Sequence, residues 1–254
     1  MPFYRHFEID IISALSQQLV EAFSHLDPGE FTEENVDSVP SSQQGVYELF
    51  LNKVLVYVGQ AKKLRDRLLE HHFKIRGRRN ISTDKMSFKC LSVHRNWTAL
   101  SPETALIKYY KDDPNACAWN GNGFGPHDPG RNRETTNKSP IGFDAQYPIR
   151  EDWACEGITA GDWNGNDLLR TVKQQLPYLL RYQTANKSKW KEGHPDYNNL
   201  TIAVPKTGMP AQLLLTRIAQ QLPEGWQLTR FPGHFILYRE HKDYAYGKVL
   251  WPKD

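Results

Sequence analysis

An α+β fold, built on a small three-stranded antiparallel sheet flanked by helices, is predicted by three observations. Two short runs rich in Val, Tyr and Phe, Val46–Leu51 and Val54–Val58, are split by the polar pair Asn52-Lys53, which is the pattern of a β-hairpin. Directly after it, Leu64, Leu68 and Leu69 set an apolar stripe at helical spacing over 61–74. Over Met86–Val93, Met86, Phe88 and Cys90 alternate with Ser87 and Lys89, which makes a third strand.

The elements follow in order. Ile11, Ile12, Leu15, Leu19, Val20 and Phe23 give residues 9–26 a helical period that ends before Asp27-Pro28-Gly29. A polar stretch, 31–44, leads through Pro40-Ser41-Ser42 into the hairpin. Tyr47 and Tyr57 face each other across that hairpin if its turn is centred on Asn52. On the helix that follows, Arg67 and His71 are four apart and share one face. Residues 77–85 read as a basic loop. Ser101-Pro102-Glu103 starts a helix running to about Lys111, with Ser at the N-cap, Pro at the first helical position and Glu103 in the first turn. Residues 113–146 are dense in glycine and proline, which prevents long regular elements. Trp119, Phe124 and Phe143 argue that this stretch is anchored, and a long ordered loop usually carries function. Further on, 167–182 reads as a helix, 200–204 as a strand and 212–222 as a helix. Residues 226–231 and 234–239 read as strands joined at Pro232-Gly233.

Composition sets bounds. A chain of 254 residues with 24% charged and 39% hydrophobic residues suits a globular protein with one large core and an extension. The net charge of +3 is mild, but 62–79 concentrates Lys62, Lys63, Arg65, Arg67, Lys74, Arg76, Arg78 and Arg79 against Asp66 and Glu70. Such a surplus is the footprint of a phosphate-backbone partner. It equally suits a solvated helix end whose cations complement the macrodipole. The three cysteines, Cys90, Cys117 and Cys155, form no C-x-x-C pair, so neither a zinc site nor a disulfide framework is indicated. No apolar run approaches the roughly 20 residues of a membrane span, and no signal-peptide core is visible. An intracellular protein without membrane contact is expected.

Taken singly, a tyrosine pair on a hairpin and an Arg/His pair on a helix are ordinary. The ordered set is more specific. Gly45-Val46-Tyr47, then Tyr57-Val58-Gly59, then Arg67, His71 and Glu103 resemble the signature of the GIY-YIG nuclease family. The string GFGPHDPGRNR at 123–133 is similar to that family's type II restriction endonuclease branch, which cuts a GC-rich palindrome of the CCGCGG type. The resemblance implies a nuclease core over 45–120, preceded by an N-terminal helix and polar lead-in over 1–44. Residues 121–254 then form a glycine-rich DNA-contacting loop and a C-terminal α/β elaboration of the same body.

The implied activity is hydrolysis of phosphodiester bonds in double-stranded DNA. From the residues alone His71 is the natural general base, because imidazole titrates near neutrality. The resemblance instead implies Tyr47 in that role, with Tyr57 and His71 holding hydrogen bonds around the attacking water. Arg67 is then expected to neutralise the transition state through its planar fork of donors. Glu103 is expected to hold one Mg²⁺ per active site, with Mn²⁺ as an expected substitute. The family's active-site Asn is either Asn120, by its Trp-Asn context, or Asn115, by its spacing from Glu103. Expected DNA contacts are Arg76, Arg78 and Arg79, and Arg131, Arg133 and Lys138 of the glycine-rich loop. A homodimer, a cognate DNA methyltransferase and a prokaryotic cytoplasm complete the implied setting. The competing classes are a repair or homing nuclease, which would need a separate DNA-binding module that is not visible, and a catalytically silent DNA-binding protein. His127-Asp128 beside Asn132 suggests an HNH nuclease, but the downstream helix with a second His is missing.

Overall fold

The computed structural model describes residues 3, 6, 10–93, 102–113, 116–125, 130–135, 141–185 and 192–252. The chain divides into two units, Met1–Phe73 with Ser82–Gly125 and Lys74–Ile81 with Pro126–Asp254.

In the first unit, α1 (Ile11–Ser24) starts where the Asp10 carboxylate accepts the Ser13 amide at 3.0 Å. The short β1 (Gly29–Glu30) and α2 (Glu33–Asp37) follow, then β2 (Gly45–Leu51), β3 (Val54–Ala61), α3 (Leu64–Arg76), β4 (Met86–Ser92) and α4 (Pro102–Tyr109). The strands form one antiparallel sheet in the order β1-β4-β2-β3. The expected α+β class holds, with one correction: the sheet has four strands, not three. Gly29 and Glu30 pair with Phe88 and Ser87 on the outer edge of β4, a two-residue contact too short to leave a periodic signal. Leu15, Leu19 and Phe23 of α1 and Ala105 and Leu106 of α4 pack with Val46 and Val58 on one sheet face.

The second unit contains α5 (Asn132–Thr135), α6 (Phe143–Gln146), β5 (Gly161–Asn164), α7 (Gly165–Gln175), β6 (Leu179–Tyr182), α8 (Pro195–Asn198), β7 (Thr201–Val204), α9 (Ala211–Gln221), β8 (Trp226–Arg230), β9 (His234–Arg239) and β10 (Lys248–Trp251). One sheet has the order β10-β8-β9-β6, with β6 parallel to β9, and β5 pairs with β7. Its core joins Leu168, Leu169 and Val172 of α7, Leu214, Leu215 and Ile218 of α9, and Trp226, Leu228, Phe235 and Leu237 of the larger sheet. The single helix expected over 167–182 is overturned. Leu176 precedes Pro177 and is extended (φ −78°, ψ 132°), as the clash with a following proline ring demands. The chain leaves the helix there and enters the sheet as β6.

Both units bury tyrosines whose hydroxyls are pushed far up in pKa, chiefly by burial: Tyr47 in the first, Tyr178 and Tyr197 in the second. The unfolded chain releases these protons at about pH 10, whereas the folded chain retains them. The stabilisation is therefore complete below that value and lost as pH rises beyond it. Each such group is expected to cost about 1.4 kcal/mol per pH unit above pH 10. Thermal melts between pH 8 and 11.5, read with tyrosinate absorbance, check this. A melting temperature that does not fall between about pH 10 and 11.5 would contradict it.

Candidate active site

The hairpin turn is the two-residue step Asn52-Lys53, with both residues at positive φ (49° and 68°), as a tight turn matching strand twist requires. A two-residue turn with regular pairing would set Tyr57 on the opposite face from Tyr47. The register prevents this. Phe50 pairs with Leu55, but Leu49 pairs with Tyr57 and Tyr47 with Gly59, leaving Val56 as an extra bulge residue. Because side chains alternate with a period of two, the bulge rotates Tyr57 onto the Tyr47 face. The two tyrosines are thus not cross-strand partners, as a turn centred on Asn52 would make them. They are offset by two residue pairs, with ring centroids 6.1 Å apart.

The glycines flanking the tyrosines have steric reasons. A Cβ on Gly59 would lie 2.3 Å from Tyr47 Oη, and one on Gly45 would lie 1.9 Å from the Leu91 carbonyl oxygen. Only glycine admits the Tyr47 ring across β3 and the chain crossing beside β4.

Helix α3 covers this face and brings both of its expected residues to Tyr47. The Tyr47 hydroxyl lies 2.7 Å from His71 Nε2, both groups being buried, and the Arg67 guanidinium lies close enough to act on the same phenol. Arg67 Nη1 also donates to Glu70 Oε2 at 2.6 Å. Burial raises the pKa of Tyr47 most, Tyr57 and Glu103 raise it further, and Arg67 opposes them. Tyr57 is raised by burial and then by Glu103. Both phenols are therefore neutral at physiological pH.

The stretch after α4 closes the site. Cys117 N donates to Leu55 O at 3.0 Å and Trp119 N to Val56 O at 2.9 Å, so this segment covers the open edge of β3. Asn120 completes the attachment: its Nδ2 donates to Val58 O at 2.8 Å and its Oδ1 accepts from Val58 N at 3.0 Å. The side chain thus pairs with β3 as a strand would. Phe124, 0% exposed, stacks on the His71 ring with centroids 4.6 Å apart and planes 22° apart. It also meets Tyr57 edge-on at 4.9 Å and Trp119 at 4.8 Å. Asn115 lies outside the described residues, as does the His127-Asp128 pair.

Glu103 occupies the first turn of α4, partly buried, and its charge reaches both tyrosines. Among the described residues, no group of three or more His, Cys, Asp or Glu side chains could hold a metal ion. A metal held by Glu103 would draw on at most one further side chain of these kinds among the described residues. That donor set fits a hard divalent ion such as Mg²⁺, which keeps most of its waters and takes phosphate oxygens as further ligands. Its positive charge would also offset the pressure of Glu103 on the phenols.

The expected DNA contacts belong to the second unit and divide into two kinds. Arg78, expected to touch phosphate, is a buried arginine, 3% exposed. Its Nη1 donates to Asp144 Oδ1 at 3.0 Å and to the Tyr147 carbonyl at 3.2 Å. Arg133 closes on the other Asp144 oxygen. Both cations are drawn to one buried carboxylate, which sequence alone does not reveal. Arg79 reaches Glu151 at 3.2 Å but stays exposed. Arg76 is exposed beside Trp153, and exposed Arg131 lies over the Tyr238 ring at 4.1 Å. Lys138 lies outside the described residues. Arg78→Ala is expected to lower unfolding free energy by about 3 kcal/mol, because it leaves Asp144 half-compensated in a buried place. Urea denaturation measures this; a loss under 1 kcal/mol would contradict it.

A bulged hairpin whose two tyrosines meet an arginine and a histidine from the next helix, with a glutamate at the start of another helix, defines a nuclease of the GIY-YIG class. A family profile described as the Eco29kI GIY-YIG domain matches residues 52–176. The chain belongs to this GIY-YIG family of type II restriction endonucleases. A comparison with curated proteins gave no match.

Proposed function

We propose that the protein is a Mg²⁺-dependent type II restriction endonuclease that cuts a GC-rich palindrome in double-stranded DNA as a homodimer. The observation that carries this reading is the convergence of His71 and Arg67 on the Tyr47 hydroxyl within reach of the Glu103 charge. Phosphodiester hydrolysis needs a proton taken from the attacking water and charge stabilised at phosphorus. Tyr47, held neutral by burial, accepts the water proton as it passes its own hydroxyl proton to His71 Nε2. This requires the imidazole tautomer that carries its proton on Nδ1. The relay avoids a free phenolate beside Glu103. Arg67 stabilises charge on the phosphoryl oxygens with its fixed donors. Glu103 would hold a Mg²⁺, or Mn²⁺ in its place, which would supply positive charge to the phosphoryl group when bound.

One such site hydrolyses one bond at a time, so two copies about a two-fold axis suit a palindromic duplex. Arg131 is the better candidate for guanine O6 and N7, because Arg133 is engaged by Asp144. Arg76, Arg79 and Lys138 suit the phosphate backbone. A cognate DNA methyltransferase in the same prokaryotic cytoplasm would protect host DNA. No helix among the described residues is long and apolar enough to cross a membrane. Incubation of supercoiled plasmid with and without Mg²⁺ tests the reading. Discrete fragments formed only with Mg²⁺ are expected. A smear indicates a nonspecific nuclease, and unchanged plasmid a silent DNA-binding protein. Sedimentation on an uncleavable duplex reports the dimer.

A further inference from the structure

We infer that Phe124 is a positioning residue for this nuclease reaction, fixing the His71 imidazole so that Nε2 stays on the Tyr47 hydroxyl. The inference rests on the proton relay proposed above. Rotation of the His71 ring about its Cβ–Cγ bond would carry Nε2 off the hydroxyl, and a relay needs that rotation stopped. Phe124 stacks on the His71 ring nearly in parallel (4.6 Å, 22°), which blocks motion out of the ring plane. On other sides the ring meets Tyr57 at 5.5 Å and Tyr47 at 5.6 Å. The imidazole is thus enclosed by three aromatic rings from two strands and one loop.

The loop itself is built to hold this stack. Asn120 grips the backbone of Val58 through two hydrogen bonds, Trp119 N bonds to Val56 O, and the Trp119 ring packs against Phe124. Gly121 and Gly123 take positive φ (72° and 92°), which turns the chain so that Phe124 reaches back over α3. The glycine-rich loop therefore begins as a wall of the catalytic site. Phe124 touches no reacting atom; it acts through His71.

The test compares wild type with Phe124→Ala and Phe124→Leu, the second keeping apolar bulk without a flat face. Single-turnover cleavage with Mg²⁺ is expected to slow about 30-fold in Phe124→Ala and about 10-fold in Phe124→Leu, a misplacement effect. DNA affinity measured with Ca²⁺ is expected to change less than about 2-fold, since the loss lies in positioning and not in binding. Nitrogen-15 spectra of the His71 ring in the DNA-free protein should show one fixed tautomer in wild type and averaged shifts in both variants. Wild-type rates, or a single tautomer retained in both variants, would overturn the inference. Should Phe124→Ala lose the wild-type circular dichroism, Phe124→Leu alone decides. A wild type that cuts no DNA would overturn the nuclease reading, and the imidazole spectra would then decide the positioning by themselves.

Discussion

Glu103→Gln is expected to lower the rate of DNA cleavage about 10³-fold or more, with affinity for the duplex nearly unchanged. The substitution keeps size and hydrogen-bonding ability but removes the negative charge, and among the described residues no neighbouring cluster offers a second set of metal ligands. A hard divalent ion would lose the Glu103 carboxylate, and with it the several kcal/mol of charge stabilisation such an ion supplies at the phosphate. Electrostatics adds a second, opposite effect that makes the result diagnostic. The Glu103 charge raises the pKa of both Tyr47 and Tyr57, so its removal should make the phenols easier to ionise. If Glu103 served only to tune the tyrosines, Glu103→Gln would cleave faster at high pH. Single-turnover rates across pH 6–9.5 at several Mg²⁺ concentrations separate the roles. Residual cleavage within tenfold of wild type would sink the ligand assignment.

Tyr47→Phe is expected to cost about 10³-fold in the chemical step, the scale of losing one well-placed proton acceptor. The ring stays, so the packing across Gly59 survives, and the loss falls on one oxygen. That oxygen lies 2.7 Å from His71 Nε2 and feels the charge of Arg67. The variant therefore also leaves His71 without its phenol partner, and Tyr47→Phe combined with His71→Ala should be little worse than either alone. Groups that act as a unit behave in this non-additive way. Independent, multiplying losses in the double variant would show that Tyr47 and His71 do not share one proton path.

The hairpin, the α3 helix and the Glu103 helix start were legible because each rests on local pattern: apolar alternation, helical spacing, a cap. Tyr47, Tyr57, Arg67 and His71 could be gathered because the motif that holds them is nearly contiguous in sequence. What escaped depends on partners far along the chain. Nothing near Arg78 announces Asp144, 66 residues away, so a buried ion pair looked like a basic loop. The stack of Phe124 on His71 joins elements that no periodicity connects. The end of α7 was missed for a different reason: Leu176-Pro177 is a local breaker that the apolar period on either side concealed. The two-residue β1 leaves no pattern at all.

The extra residue at Val56 also bears on how faithfully the chain folds. Two hairpins compete for the same sequence, one bulged and one regular, and they differ by a half-turn of every side chain from Tyr57 to Ala61. The regular hairpin would place Tyr57 among the aliphatic residues beneath α1 and turn Val58 toward α3, beside Tyr47. Val58, enclosed with Val46 and Leu15 and gripped by Asn120, is where the choice is enforced. Damage to that grip would therefore appear twice: as slower turnover through a loosened Phe124 stack, and as fewer competent molecules, a deficit in the active fraction of a preparation.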